Sequence, residues 1–157
     1  MHENEGVIRK IVVGVDGSQS ARCALDWAWD EALLWNGELH VVHAWEYPYS
    51  AGHRITASEP IESAKLDAAR LLDAEISLLR TRKTGSVAMH AHLVEGPPAD
   101  VILREAHDAD LVAVGSRGRG ELTSLLLGSV AHQVSNHGRC PVVVVRGRRA
   151  ADKEATG

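Results

Sequence analysis

Short apolar runs alternate with amphipathic helical segments along almost the whole chain. The apolar runs, which are rich in β-branched residues, are 10–16, 38–45, 87–94, 110–115 and 141–146. The helical segments between them are 18–37, 61–82, 96–109 and 129–138. Unbroken apolar runs suit strands that are buried on both faces. The alternation therefore predicts an α/β fold: an open, parallel five-stranded sheet with right-handed crossovers and helices on both faces.

The length of the chain limits it to one domain. One hydrophobic core can stabilise a chain of 157 residues, and we expect residues 1–147 to form that single domain. The polar end, 148–157, is predicted to be a disordered tail. Residues 46–60, which include two prolines, are predicted to form a long polar loop.

Charge and composition argue against several partners and compartments. The net charge of −4 provides no attraction for nucleic acid or an anionic membrane, and no apolar run is long enough to span a bilayer. The two cysteines are far apart, which favours a reducing compartment. The start, MHENEGVIRK, lacks the apolar segment of a signal peptide. We therefore expect a cytoplasmic protein.

Glycines follow two of the predicted strands. The first strand continues into VGVDGS and the fourth into AVGSRGRG. Open parallel sheets bind ligands beyond the carboxyl ends of their strands, where the strand order reverses. We expect these two glycine-rich turns to flank that crevice.

The spacing of the glycines excludes two familiar phosphate-binding loops. Gly115 and Gly120 have the separation of a P-loop, but Glu121 stands where the P-loop lysine is needed. The dinucleotide fingerprint Gly-x-Gly-x-x-Gly is also absent after the first and fourth strands.

A third arrangement remains, formed by Gly115, Gly118, Gly128 and Ser129. Taken singly, each glycine ends a strand or permits a turn. Taken together, the first two allow backbone N–H groups to face a ligand, and the last pair begins a helix whose first N–H groups attract anions. Arg117 or Arg119 adds positive charge. The pattern therefore favours a phosphate cradle.

This pattern resembles the nucleotide-binding signature of the universal stress protein family, Gly-x2-Gly-x9-Gly-Ser/Thr. Other stretches also resemble the family, namely IVVGVDGSQSA, EGPPADVILREA, ADLVAVGSRGRG and LLLGSVAHQV. The resemblance implies the strand order 3-2-1-4-5. It also implies membership of the branch of the family that binds ATP.

The resemblance further implies which residues hold the nucleotide. They are Gly14, Val15, Asp16, Val42, Gly115, Arg117, Gly118, Gly128, Ser129 and Val130. Gly14 and Val15 would approach the nucleotide through their backbone, and Val42 would contact adenine. The residues from Gly115 onward would line the phosphates and ribose. Asp16 would lie near the ribose or a phosphate-bound Mg²⁺, and it could alternatively cap the first helix by accepting from nearby N–H groups.

The last strand is predicted to mediate a homodimer. It is apolar at Val142, Val143, Val144 and Val145 and would lie at an edge of the sheet. An uncovered apolar edge strand promotes aggregation, and pairing with a second copy across a two-fold axis covers it. The resembled family pairs its protomers there.

The sequence thus predicts an ATP-binding regulatory protein of the stress response. The alternative is a slow ATPase or phosphotransferase that uses the same site, with His43 and Asp16 as its only candidate general bases. An FMN-binding, flavodoxin-like module is a third hypothesis. It fits less well because such modules place their phosphate loop after the first strand.

His90 and His92 suggest a different chemistry, because they share one face of the third strand and could form half of a zinc site. No cysteine or acidic residue stands at a matching spacing nearby. An exposed strand face is therefore the favoured interpretation of this pair.

Overall fold

The computed structural model describes residues 9–47, 59–119 and 126–147. Within these ranges the strands are β1 (Lys10–Gly14), β2 (Glu38–Trp45), β3 (Ala88–Glu95), β4 (Leu111–Gly115) and β5 (Val142–Val145). The helices are α1 (Gln19–Trp35), α2 (Glu59–Arg82), α3 (Pro98–Glu105) and α4 (Ser129–His137). The predicted tail and most of the predicted 46–60 loop lie outside the described residues.

The five strands form one parallel sheet in the order β3-β2-β1-β4-β5. β1 is central: Gly14 lies opposite Val42 of β2, and Val13 lies opposite Ala113 of β4. The fold class and the strand order are therefore confirmed.

Each face of the sheet is covered by two helices. α1 and α2 pack on the face that carries Ile11 and Val13, whereas α3 and α4 pack on the face that carries Val12. All three β1 side chains are completely buried, which explains the unbroken apolar run. No helix in the described ranges has both the length and the apolar character that crossing a membrane requires.

Both ends of α1 are capped. The Ser18 hydroxyl accepts a hydrogen bond from the Ala21 N–H. At the other end Asn36 adopts the left-handed conformation, with φ of 51°. The following residue is glycine for a steric reason, because a Cβ at Gly37 would lie 2.5 Å from the carbonyl oxygen of Arg9.

A bidentate ion pair joins α1 to α2. The Arg22 Nε lies 2.9 Å from Oε2 of Glu75, and Nη2 lies 2.8 Å from Oε1. The Glu75 side chain is only 3% exposed, whereas that of Arg22 is 44% exposed. The carboxylate is therefore buried, and its charge is balanced by one partner that reaches it from solvent.

Removal of this partner should destabilise the fold. Arg22→Met is expected to lower the free energy of unfolding by about 2–3 kcal/mol, because it leaves a buried carboxylate without its counter-charge. The matched control is Arg82→Met, which removes a pair with the more exposed Asp26 and should cost no more than about 1 kcal/mol. Urea denaturation of both variants measures the difference, and equal losses would contradict the prediction.

Candidate functional site

A cleft lies at the carboxyl ends of β1, β2 and β4, between α3 and the start of α4. About 540 Å³ of space lies within it, part of which is open to solvent. Nine of the residues predicted from sequence line it: Gly14, Val15, Asp16, Val42, Gly115, Arg117, Gly118, Gly128 and Val130. Ser129 does not line the cleft; it is exposed at the first position of α4.

One wall of the cleft is apolar. It includes residues that sequence analysis missed, namely Ala44, Pro98, Ile102 and Val114, together with the predicted Val42. Pro98 and Ile102 belong to α3, so their place at the cleft depends on how that helix packs across the sheet. The alternation of β2 was the available signal for Ala44, because it lies two residues after Val42 and shares its face.

Two cleft glycines lie in close contact with other parts of the protein. A Cβ at Gly14 would lie 2.6 Å from Cδ1 of Ile102. A Cβ at Gly115 would lie 2.6 Å from both the backbone nitrogen of Ala21 and Oγ of Ser20. Gly115 therefore allows the first turn of α1 to lie directly against the end of β4, which is a packing reason for this glycine.

Ser20 fixes the loop that follows β4. Its hydroxyl donates to the Arg117 carbonyl at 2.6 Å and accepts from the Arg117 N–H at 3.2 Å. Ser18 also donates to that carbonyl, at 3.3 Å. The Ser20 side chain is buried, whereas Arg117 is exposed at the cleft. The serine thus holds the backbone and leaves the guanidinium available to a ligand.

The backbone of Val15 is already engaged by β2. Its N–H donates to the Val42 carbonyl at 2.9 Å, and its carbonyl accepts from Nδ1 of His43 at 2.8 Å. This contact gives His43 an orienting partner that the sequence did not reveal. His43 is not among the residues that line the cleft, because strand alternation directs it to the face opposite Val42.

Asp16 stabilises the turn after β1 and also lines the cleft. Its Oδ1 accepts from the Ser18 N–H at 2.9 Å, whereas the N-cap of α1 is Ser18 itself, so Asp16 holds the turn before the helix and does not cap it. Its Oδ2 accepts no hydrogen bond from the described residues. Gly17 adopts φ of +82°, a conformation that glycine favours, and the Arg119 guanidinium lies beside it.

The other end of the cleft is electropositive. α4 begins there with Gly128, whose N–H donates to the Ser116 carbonyl at 2.7 Å and which provides no side-chain cap. Val130 and Ala131, in the first turn of α4, line the cleft. The start of a helix carries partial positive charge and attracts anions. The cleft thus joins an apolar wall to a site suited to a phosphate.

Comparison with known proteins identifies the family. A model of the Universal stress protein family matches residues 8–146. The chain belongs to the universal stress protein family. Universal stress protein Rv1996 of Mycobacterium tuberculosis is 35% identical over 142 residues, which cover 87% of this chain and 43% of that protein. This chain therefore spans about half the length of the curated relatives it matches.

Solved structures of the family share this fold. A universal stress protein in complex with cAMP is 27% identical, with a TM-score of 0.67 over 89% of this chain and 98% of that one. The universal stress protein from Archaeoglobus fulgidus in complex with dAMP is 26% identical, with a TM-score of 0.63 over 88% of this chain and 98% of that one. Both relatives bind an adenine nucleotide.

The contact between α1 and β4 can be tested with one methyl group. Gly115→Ala should lower the free energy of unfolding by about 1–3 kcal/mol, because the added Cβ meets backbone that cannot rotate away. Gly147→Ala is the matched control, since its Cβ would lie 3.5 Å from the Ser20 nitrogen, an ordinary contact. Urea denaturation compares the two variants, and a stability of Gly115→Ala equal to that of the control would refute the packing role.

Proposed function

We propose that this chain is an ATP-binding regulatory protein of the stress response. The observation that carries the proposal is a single cleft in which an apolar wall meets the start of a helix. This combination suits the base and the phosphates of one nucleotide. The complexes of two family members with cAMP and dAMP support an adenine nucleotide as the ligand.

In this proposal the two ends of the cleft bind different parts of the nucleotide. Adenine packs against Val42, Ala44 and Ile102, where burial of its flat surface supplies most of the affinity. The phosphates lie near Gly118 and the first turn of α4, from Gly128 through Ser129 to Val130. Arg117, the cation that lines the cleft, approaches them from the loop after β4.

Mg²⁺ is part of the proposal and is assigned to Asp16. Protein-bound Mg²⁺ commonly takes one or two carboxylates together with substrate phosphates and waters. Asp16 fits this requirement because Oδ1 already holds the turn and Oδ2 accepts no hydrogen bond from the described residues. The same oxygen could instead bind the ribose hydroxyls, and the dependence of affinity on Mg²⁺ separates the two roles.

We further propose that the protein binds ATP with little turnover. Fast phosphoryl transfer needs a positioned nucleophile, metal ligands and positive charge on the transferred group. Among the described residues that line the cleft, Asp16 is the one acid and Arg117 the one cation. The imidazole of His43 lies outside it. This donor set favours a nucleotide sensor over the alternative of an ATPase or phosphotransferase.

A homodimer through β5 and a cytoplasmic location complete the proposal. The Val112 N–H donates to the Pro141 carbonyl, and the Ser116 N–H donates to the Val145 carbonyl, so odd-numbered β5 residues face β4. In a parallel ladder the alternate residues direct their backbone groups the other way. Val142 and Val144 therefore present their N–H and C=O groups at the outer edge, where a second copy would pair.

The free cysteines Cys23 and Cys140 suit a reducing compartment, and the net charge of −4 disfavours nucleic acid and anionic membranes as partners.

The nucleotide site is tested by Gly118→Ala. The added methyl group should lower ATP affinity by about tenfold or more, equivalent to about 1.4 kcal/mol, because it occupies space at the phosphate end of the cleft. Calorimetry with ATP, AMP and cAMP, each with and without Mg²⁺, measures the loss and identifies the preferred nucleotide. Gly147→Ala, which lies outside the cleft, should bind as the wild type does.

Two outcomes would contradict this function. Unchanged ATP affinity in Gly118→Ala would show that ATP does not bind in this cleft. A steady-state ATPase rate near the ~10 s⁻¹ of a median enzyme, lost in Asp16→Ala, would favour the enzyme over the sensor.

The dimer is tested by placing proline at the outer edge of β5. Val144→Pro removes an outward N–H and should yield monomers by light scattering, while far-UV circular dichroism stays native because prolines are tolerated on edge strands. Val143→Pro is the contrasting variant, since it removes a bond to β4 and should destabilise the protomer itself. A monomeric wild type at micromolar concentration would rule out this interface.

A further inference from the structure

Three histidines and two glutamates meet on the face of the sheet covered by α3 and α4. Strand register places His40 of β2 beside His90 of β3, and Val42 beside His92. Glu38 begins β2, and Glu105 ends α3. None of these five residues lines the cleft, so the cluster is separate from the nucleotide site.

The inner part of the cluster has the geometry of a metal site. One ligand atom from each of Glu38, His40 and His90 lies within 4.8 Å of the other two. Oε2 of Glu38 lies 3.5 Å from Nε2 of His40 and 3.7 Å from Nε2 of His90. Tetrahedral Zn²⁺ with bonds of about 2.0–2.1 Å holds its ligand atoms about 3.3 Å apart. The two distances from Glu38 are therefore close to those in a zinc site, and the stacked rings of His40 and His90 would rotate so that both Nε2 atoms face one ion.

The outer part of the cluster would orient His40 for metal binding. Nδ1 of His40 lies 2.9 Å from Nε2 of His92, and Nδ1 of His92 lies 3.4 Å from Oε2 of Glu105. When Nε2 of His40 binds a cation, its Nδ1–H donates to His92, and the Nδ1–H of His92 donates to Glu105. Chains of this kind, which end in a carboxylate, fix the tautomer of a metal-binding histidine and raise its basicity.

Burial is the main influence on the pKa of His40. Burial lowers this pKa, the hydrogen bond with Glu38 raises it, and the charges of Lys10, His90 and His92 lower it. The imidazole of His40 stacks on that of His90 with ring centroids 4.6 Å apart. Lys10, whose charge acts on His40, is paired with Asp108. The half-exposed side chain of His90 leaves an approach for an ion from solvent.

We propose that Glu38, His40 and His90 bind a divalent transition-metal ion of the Zn²⁺ class, with His92 and Glu105 as positioning residues. Two imidazoles and one carboxylate suit Zn²⁺ better than Mg²⁺ or Ca²⁺, which prefer oxygen ligands. With three protein ligands, the fourth position takes water. Such an ion cross-links the edge strand β3 to β2, and its binding stabilises the folded state.

The test is a titration of the tag-free, metal-free full chain with Zn²⁺. Calorimetry should show saturable binding of a single tight ion, and Co²⁺ should give the strong visible absorption of a tetrahedral site. The double variant His40→Gln/His90→Gln should lose more than about 100-fold in affinity. Glu105→Gln should lose about 10–100-fold, because only the orientation of His92 and His40 is disturbed.

The matched control is His132→Gln/His137→Gln, which removes two exposed imidazoles from α4 and should bind Zn²⁺ as the wild type does. Circular dichroism and ATP binding establish that each variant is folded. The wild type failing to bind Zn²⁺, or the His40→Gln/His90→Gln variant binding it equally well, would overturn the proposal. Gly118→Ala leaves the cluster intact and should retain Zn²⁺ binding. The proposed metal site and the proposed nucleotide site are therefore tested separately.

Discussion

The hydrogen bonding of β1 to β2 on one side and to β4 on the other is the constraint on which the rest of the molecule depends. After β1 the chain proceeds outward to β2 and β3, and it then returns to place β4 against the opposite side of β1. Right-handed crossovers that run in opposite directions put their helices on opposite faces. α1 and α2 therefore cover one face, and α3 and α4 cover the other. The cleft lies at the carboxyl end of β1, where the connections on the two faces diverge.

The cleft is shaped by close approaches between elements. Gly14 admits Ile102 from α3, and Gly115 admits the first turn of α1. Ser20 then ties the loop after β4 to that same turn through the backbone of Arg117. All four glycines of the cleft line it, and a side chain at Gly14 or Gly115 would in addition meet packed residues. The glycines of one signature therefore serve different physical purposes.

One face of β2 serves both proposed sites. Glu38 and His40 lie toward its start, while Val42 and Ala44, on the same face, line the cleft at its end. Residues two apart on a strand are about 6.6 Å apart, so the histidine cluster and the apolar wall are neighbours along the sheet. α3 contributes to both, through Ile102 at the cleft and Glu105 at the cluster. The two sites are thus built on the same rigid elements.

The sequence alone determined the elements, their parallel arrangement and most of the cleft. Apolar runs and helical periodicity act over short stretches, and residues that end strands at the same edge of a sheet must lie together. Only the tertiary structure showed that Gly115 is needed for packing and that Pro98 and Ile102 complete the apolar wall, since both depend on how helices cross the sheet. In the sequence, no acidic residue stands at a matching spacing near His90 and His92. Register brought His40 beside His90, with Glu38 on the same face, and the packing of α3 brought Glu105 to His92. Contacts between residues so far apart in the chain arise from strand pairing and helix packing, which no local pattern contains.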